Sequence, residues 1–127
     1  MRLFDFGGET TCESLEELNS ILENRHENDS NEFELYGQEQ YPFMTILVSG
    51  KWACVHFFES EDDCGHYAYC DKNEIEDDEY ITFYTGSPTF ETEISNTLVI
   101  PFSLAQVVAQ DFFLFSKMSE KIQWFKL

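Results

Sequence analysis

The chain has 127 residues, of which 25 are acidic and seven basic, for a formal net charge of -18. A surface this negative is repelled by nucleic acid and by anionic lipid, so direct binding to either is not expected. With 43% hydrophobic and 17% aromatic residues the chain is no disordered acidic tail: it reads as one folded domain, residues 1–127, with a negative field suited to a basic partner. The competing use of such charge is solubility alone.

Two runs carry much of the acid: Glu59-Ser60-Glu61-Asp62-Asp63 and Glu74-Ile75-Glu76-Asp77-Asp78-Glu79. At the N-terminus, Asp5 interrupts the apolar residues after Arg2, so no export signal is read there. No stretch is long enough to span a bilayer. Cys12, Cys54, Cys64 and Cys70 are therefore expected as reduced thiols in a cytoplasm.

In chain order, Leu3 to Phe6 predicts a short strand stopped by Gly7-Gly8. A helix follows, capped by Thr11 or Ser14, with Ser14-Leu15-Glu16-Glu17 fitting a capping box and Leu15, Leu18 and Leu22 recurring at helical spacing. The polar run from His26 to Asn31 ends it, and Phe33 to Tyr36 is a second strand. The clearest signal is two β-rich runs, Phe43 to Ser49 and Trp52 to Phe58, flanking Gly50-Lys51. A glycine-first pair suits a two-residue hairpin turn. Pairing outward sets Ser49 opposite Trp52, Val48 opposite Ala53 and Ile46 opposite Val55. One face is then wholly apolar (Met44, Ile46, Val48, Ala53, Val55, Phe57) and the other mixed, as in a sheet covered fully on one side. Further strands are expected at Gly65 to Cys70, Tyr80 to Tyr84 and Thr97 to Ile100, with both acidic runs on loops between strands. Ser103, with Gln106, caps a second helix whose buried stripe is Leu104, Val107, Val108, Phe112 and Phe115. A last strand spans Ile122 to Phe125. The fold class is α+β: an antiparallel meandering sheet with an N-terminal and a C-terminal helix packed on it.

Metal, catalytic and binding readings compete for the remaining residues. Cys54 and His56 share one strand face, and His66 and Cys70 share another; in a suitable register the four would converge on zinc. Their spacing matches no finger or ribbon pattern, and small core cysteines are the plainer reading. Asp71, Asn73, Asp77 and Glu79 alternate as in a calcium loop, but Glu76 stands where that loop needs its turn glycine. No nucleophile elbow, phosphate-cradling loop or dinucleotide fingerprint appears, and a reactive thiol needs an electropositive setting that this chain lacks. No enzyme activity, cofactor or metal is expected. For binding, the candidates are the carboxylates Glu59, Glu61, Asp62, Asp63, Glu74, Glu76, Asp77, Asp78 and Glu79. Trp52, Tyr67, Tyr69 and Tyr84 are candidate aromatic anchors.

Read in order, the chain resembles the deaminase-associated immunity proteins of bacterial polymorphic toxin and contact-dependent inhibition systems. The likeness runs through Leu15, Leu18 and Leu22, the hairpin around Gly50 with Trp52 and Phe57, Gly65-His66-Tyr67 and Phe83-Tyr84-Thr85-Gly86. It continues through Leu98-Val99-Ile100-Pro101, the helix with Ala105, Ala109 and Phe112-Phe113, and Trp124. The family's recurring glycine and tryptophan map to Gly86 and Trp124. The segment Ile100-Pro101-Phe102-Ser103-Leu104-Ala105 departs from the family by lacking an acid before the last helix. The resemblance implies a cytoplasmic immunity protein that neutralises a cognate basic toxin domain, a nucleic-acid deaminase or nuclease encoded nearby, by protein-protein contact. Two alternatives stand beside it: an acidic nucleic-acid mimic that inhibits a DNA-binding enzyme, and a small zinc or thiol protein.

Overall fold

A computed structural model of the chain describes residues 1–69 and 80–126. In chain order the elements are β1 (Arg2–Asp5), β2 (Gly8–Thr11), α1 (Leu15–Leu22), β3 (Ser30–Tyr36), β4 (Phe43–Ser49), β5 (Trp52–Phe58), β6 (His66–Tyr69), β7 (Tyr80–Tyr84), β8 (Glu91–Ser95), β9 (Ile100–Pro101), α2 (Phe102–Phe115) and β10 (Gln123–Lys126). Short 3₁₀ turns occupy Glu27–Asp29 and Asn96–Leu98. This is the expected α+β class.

The β4–β5 hairpin turns at Gly50, whose φ of 58° is one that glycine adopts without steric cost. Its register is the expected one: Ser49 faces Trp52, Val48 faces Ala53 and Ile46 faces Val55. The main sheet grows outward from this pair in the order β10-β6-β5-β4-β3-β1-β2, all antiparallel. Two strands share the outer edge of β5. β6 takes the end near His56 and Phe57, and β9 takes the end near Trp52 and Ala53.

Both helices lie on the apolar face. Met44, Ile46, Val48, Ala53, Val55 and Phe57 are buried there with Leu18 and Leu22 of α1 and Ala105, Val108, Ala109 and Phe112 of α2. Each large apolar side chain taken fully from water contributes roughly 1.5–3 kcal/mol, so this face supplies most of the stabilisation. A separate hairpin, β7–β8, covers part of the opposite face. Its Phe83 closes a second core with Cys54 and Val99, and Leu47, Trp52, Tyr67, Ile81 and Ile94 pack around it.

Several expectations are corrected. β2 was not expected: Gly8, at φ 123°, turns the chain back after Asp5, and Thr10 and Thr11 pair with β1 before the helix begins. Ser14 does cap α1, accepting from the Glu17 N–H at 3.1 Å, but the Glu17 carboxylate answers to the Glu13 N–H rather than to Ser14. The segment Thr97 to Ile100 is not a strand. A 3₁₀ turn precedes a two-residue strand, and β8 lies before both. α2 starts two residues earlier than a Ser103 cap would set it, after Pro101 and with no side-chain cap. Its start is tied instead to the β4–β5 turn, where the Phe102 N–H donates to the Lys51 carbonyl at 2.8 Å. The buried stripe of α2 holds Ala105, Val108, Ala109, Asp111 and Phe112, whereas Phe115 is 61% exposed.

One buried polar side chain organises the sheet's helix side. Asn31 stands opposite Val48, fully buried. Its Oδ1 accepts from the N–H groups of Phe6 (3.2 Å) and Glu32 (2.9 Å), and its Nδ2 donates to Asp5 Oδ2 (3.0 Å) and the Asn24 carbonyl (2.9 Å). It thereby joins the end of β1, the exit of α1 and the start of β3. Asn31→Ala strands these partners without water and is expected to cost about 2–3 kcal/mol, read as a lower denaturant midpoint with an unchanged slope.

Candidate interaction surface

The acidic loop after β5 is held by one of its own carboxylates. Asp63 accepts from the Glu59 N–H through Oδ2 and from the Gly65 N–H through Oδ1, both at 2.9 Å, while its own N–H donates to the Ser60 carbonyl at 3.1 Å. His66 Nδ1 lies 3.4 Å from Asp63 Oδ2, and the Asp63 side chain is only 9% exposed. The two backbone donors and the nearby histidine hold its carboxyl below the usual carboxylate range. Asp63 is thus a brace inside the loop. Glu59, Glu61 and Asp62 are exposed on its outside.

The loop is also fixed from beneath. Gly65 has a φ of 107°, and a Cβ there would overlap the His56 ring. Glycine is the residue this contact allows. His56 is sandwiched between Phe58 (centroids 4.1 Å apart) and Tyr67 (4.0 Å), and burial lowers its pKa. Among the described residues its Nε2 has no hydrogen-bond partner.

The residues singled out from the sequence are not gathered in one place. Glu74, Glu76, Asp77, Asp78 and Glu79 lie outside the described residues, as do Cys70, Asp71 and Asn73. Trp52 and Tyr67 pack into the second core beneath β7–β8. Tyr69 sits at the end of β6 and Tyr84 at the end of β7, each partly buried. The zinc arrangement fails on register. Tyr67, not His66, stands opposite His56, and His66 stands opposite Phe57. Alternation therefore puts His66 on the helix side of the sheet and Cys54 and His56 on the other. Among the described residues no group of three His, Cys, Asp or Glu side chains is placed to hold a metal ion.

The thiols are equally separated. Burial pushes Cys54 up to about 12 and also raises Cys12, so both stay protonated. Cys64 is exposed on the acidic loop. Among the described residues no helix is long and apolar enough to cross a membrane.

The sequence reading missed an aromatic strip on the part of the second face that lies past the β7–β8 hairpin. Tyr36 stacks on Phe43 (centroids 5.1 Å apart, planes at 18°) and Phe43 on Phe58 (4.7 Å, 13°). Phe4 meets Tyr36 edge-on at 5.8 Å, and Tyr41 meets Phe43 at 5.3 Å. The Tyr36 hydroxyl donates to Glu34 Oε2 at 2.8 Å; burial, with this bond, pushes its pKa up to about 12. The signal that could have found the strip is the hairpin register itself, which sets Phe43 and Phe58 opposite each other on the mixed face.

Gly86 and Trp124, the positions to which the resemblance maps a recurring glycine and tryptophan, have local roles. The Gly86 N–H, at φ 74°, donates to Glu32 Oε1 at 3.0 Å while Thr85 Oγ1 donates to Glu32 Oε2 at 2.6 Å, bracing the hairpin tip against β3. Trp124 donates through Nε1 to the Ser119 carbonyl at 2.9 Å and packs edge-on against Phe57. No protein-family model matches the chain, and no curated protein matches it.

The burial of two thiols and the exposure of a third set an expectation for thiol chemistry. A disulfide-exchange reagent should modify Cys64 in the native protein and reach Cys12 and Cys54 only on unfolding. Site-resolved mass spectrometry checks this, and rapid native labelling of Cys54 would contradict it.

Proposed function

We propose that this chain is an immunity protein: it binds a cognate basic toxin domain, a nucleic-acid deaminase or nuclease, and neutralises it by contact in the cytoplasm of the cell that makes it. The observation that carries the reading is uncompensated acid on a well-packed scaffold. Among the described residues three carboxylates meet a basic side chain: Asp5 beside His26, Asp63 beside His66 and Asp111 beside Lys121. One of these three partners is a lysine and two are histidines. The remaining acid repels itself, and a basic partner relieves that repulsion.

The braced loop supports the same reading. Asp63 fixes the backbone of Glu59 to Gly65, so Glu61 and Asp62 present charge from an ordered support. Ordered charge at an interface rim steers encounter and sets orientation, and an apolar centre supplies the affinity. The family likeness, carried by the order of short motifs along the chain, supplies the nature of the partner.

The test is capture of the protein encoded by the adjacent gene, at low and at high salt. A complex that weakens with salt supports the reading, and no complex under either condition contradicts it. Glu61→Lys with Asp62→Lys should slow association at least several-fold and leave dissociation nearly unchanged, as rim charges do. Asp63 is excluded from that pair because its loss would unpin the loop. Stopped-flow kinetics reads both rates, and an unchanged association rate would make the loop acid a solubility device.

A further inference from the structure

We infer that the aromatic strip past the β7–β8 hairpin is the docking centre for the basic partner, and that the strip takes a segment in which apolar and cationic side chains alternate. The inference rests on the reading of the chain as a binder of a basic protein and names the surface that does it. Register defines the strip. The row Glu32, Leu47, Cys54 lies under the hairpin, whose tip is hydrogen-bonded to Glu32. Two rows further along lie Arg2, Tyr36, Phe43 and Phe58, successive partners across β1, β3, β4 and β5. Between them run Phe4, Glu34, Thr45, His56 and Tyr67.

Phe4, Tyr36, Phe43 and Phe58 are all partly exposed, and none belongs to either buried core. Their mutual stacking holds the rings in place, so little side-chain freedom is lost when a partner covers them. The strip is backed by the helix-covered face, which makes it a fixed platform. Rigid aromatic groups on such a platform are the usual centres of binding energy.

Charge decides the occupant. Glu34 adjoins the strip through its bond from Tyr36, Glu9 stands opposite Phe4, and Glu59 follows Phe58. At the end nearest the hairpin tip a cleft of about 250 Å³ is lined by Phe4, Phe6, Asp5, Glu32, Glu34 and Gly86. Arg2 already places its guanidinium 5.4 Å from the Tyr36 ring and 5.7 Å from Phe4, so the strip's margin accommodates a cation beside the rings. An apolar centre ringed by carboxylates matches a segment that is apolar where it meets the rings and cationic where it meets the rim.

The probes are two labelled octapeptides of equal charge, one alternating arginine with leucine and one alternating arginine with serine, followed by fluorescence anisotropy at physiological ionic strength. The wild-type protein should bind the leucine peptide about tenfold more tightly. Phe43→Ser with Phe58→Ser should erase that preference and leave binding of the serine peptide unchanged; Phe43→Tyr with Phe58→Tyr should keep it. Equal binding of the two peptides by wild type, or a preference that survives the serine pair, overturns the inference. Should the serine pair fail to fold, a nitroxide on the leucine peptide reads the site in the wild-type protein. Broadening of backbone resonances around Tyr36, Phe43 and Phe58 supports the strip, and broadening confined to the helices or to the 59–62 loop overturns it. Dimerisation of the wild type in sedimentation, abolished by the serine pair and kept by the tyrosine pair, would assign the face to a second copy and also overturn it. The peptides need no cognate toxin, so the two readings fail separately. A cognate complex indifferent to the serine pair removes the strip and keeps the immunity reading, whereas absence of any cognate complex beside an intact peptide preference does the reverse.

Discussion

The β4–β5 hairpin is the constraint on which the rest of this molecule depends. Its two strands place Met44, Ile46, Val48, Ala53, Val55 and Phe57 on one side and Leu47, Trp52, Cys54 and Phe58 on the other, so both faces need cover. The helices supply it on the first side, and α2 is tied at its start to the turn of this same hairpin. The β7–β8 hairpin supplies it on part of the second. A strongly acidic chain tolerates its self-repulsion because the apolar burial on these two sides exceeds it.

The uneven cover of the second face connects the fold to the proposed function. β7–β8 seats over Leu47 and Cys54, with its tip braced on Glu32, and the rings of Tyr36, Phe43 and Phe58 fall past it. The same β5 strand that carries Phe58 into this strip continues directly into the acidic loop. There Asp63 turns inward and Glu61 and Asp62 remain outside. Apolar contact area and ordered charge are therefore neighbours in sequence, held by one backbone. That is the arrangement a specific protein ligand uses: charge for encounter and rings for residence.

Much of the architecture was legible from local pattern. Gly50-Lys51 between two β-rich runs set the central register residue for residue, and Ser14 marked the start of α1. What escaped depended on partners far along the chain. Thr10 and Thr11 are a strand only because β1 lies beside them, and the Glu91, Thr92, Glu93, Ile94 alternation is too polar to announce β8 without β7. Asn31 belongs to a polar run that ends a helix, yet tertiary contacts bury it with all its hydrogen-bonding groups met. The site was legible as a charge and not as a place. Composition required an acidic surface, but which carboxylates brace the loop, and which aromatics stack outside the cores, follow from pairing across five strands. Trp52 and Tyr67, conspicuous in the sequence, serve the second core, whereas Phe43 and Phe58 read only as members of the hairpin's mixed face.

The most direct test of the account is hydrogen exchange of the chain, free and in complex with the basic protein proposed as its partner. The account predicts slowed exchange in β3, β4 and β5 around Tyr36, Phe43 and Phe58 and in the loop from Glu59 to Asp63, with α1 and α2 unchanged. Protection confined to the helices, with the strip exchanging as in the free chain, would contradict it.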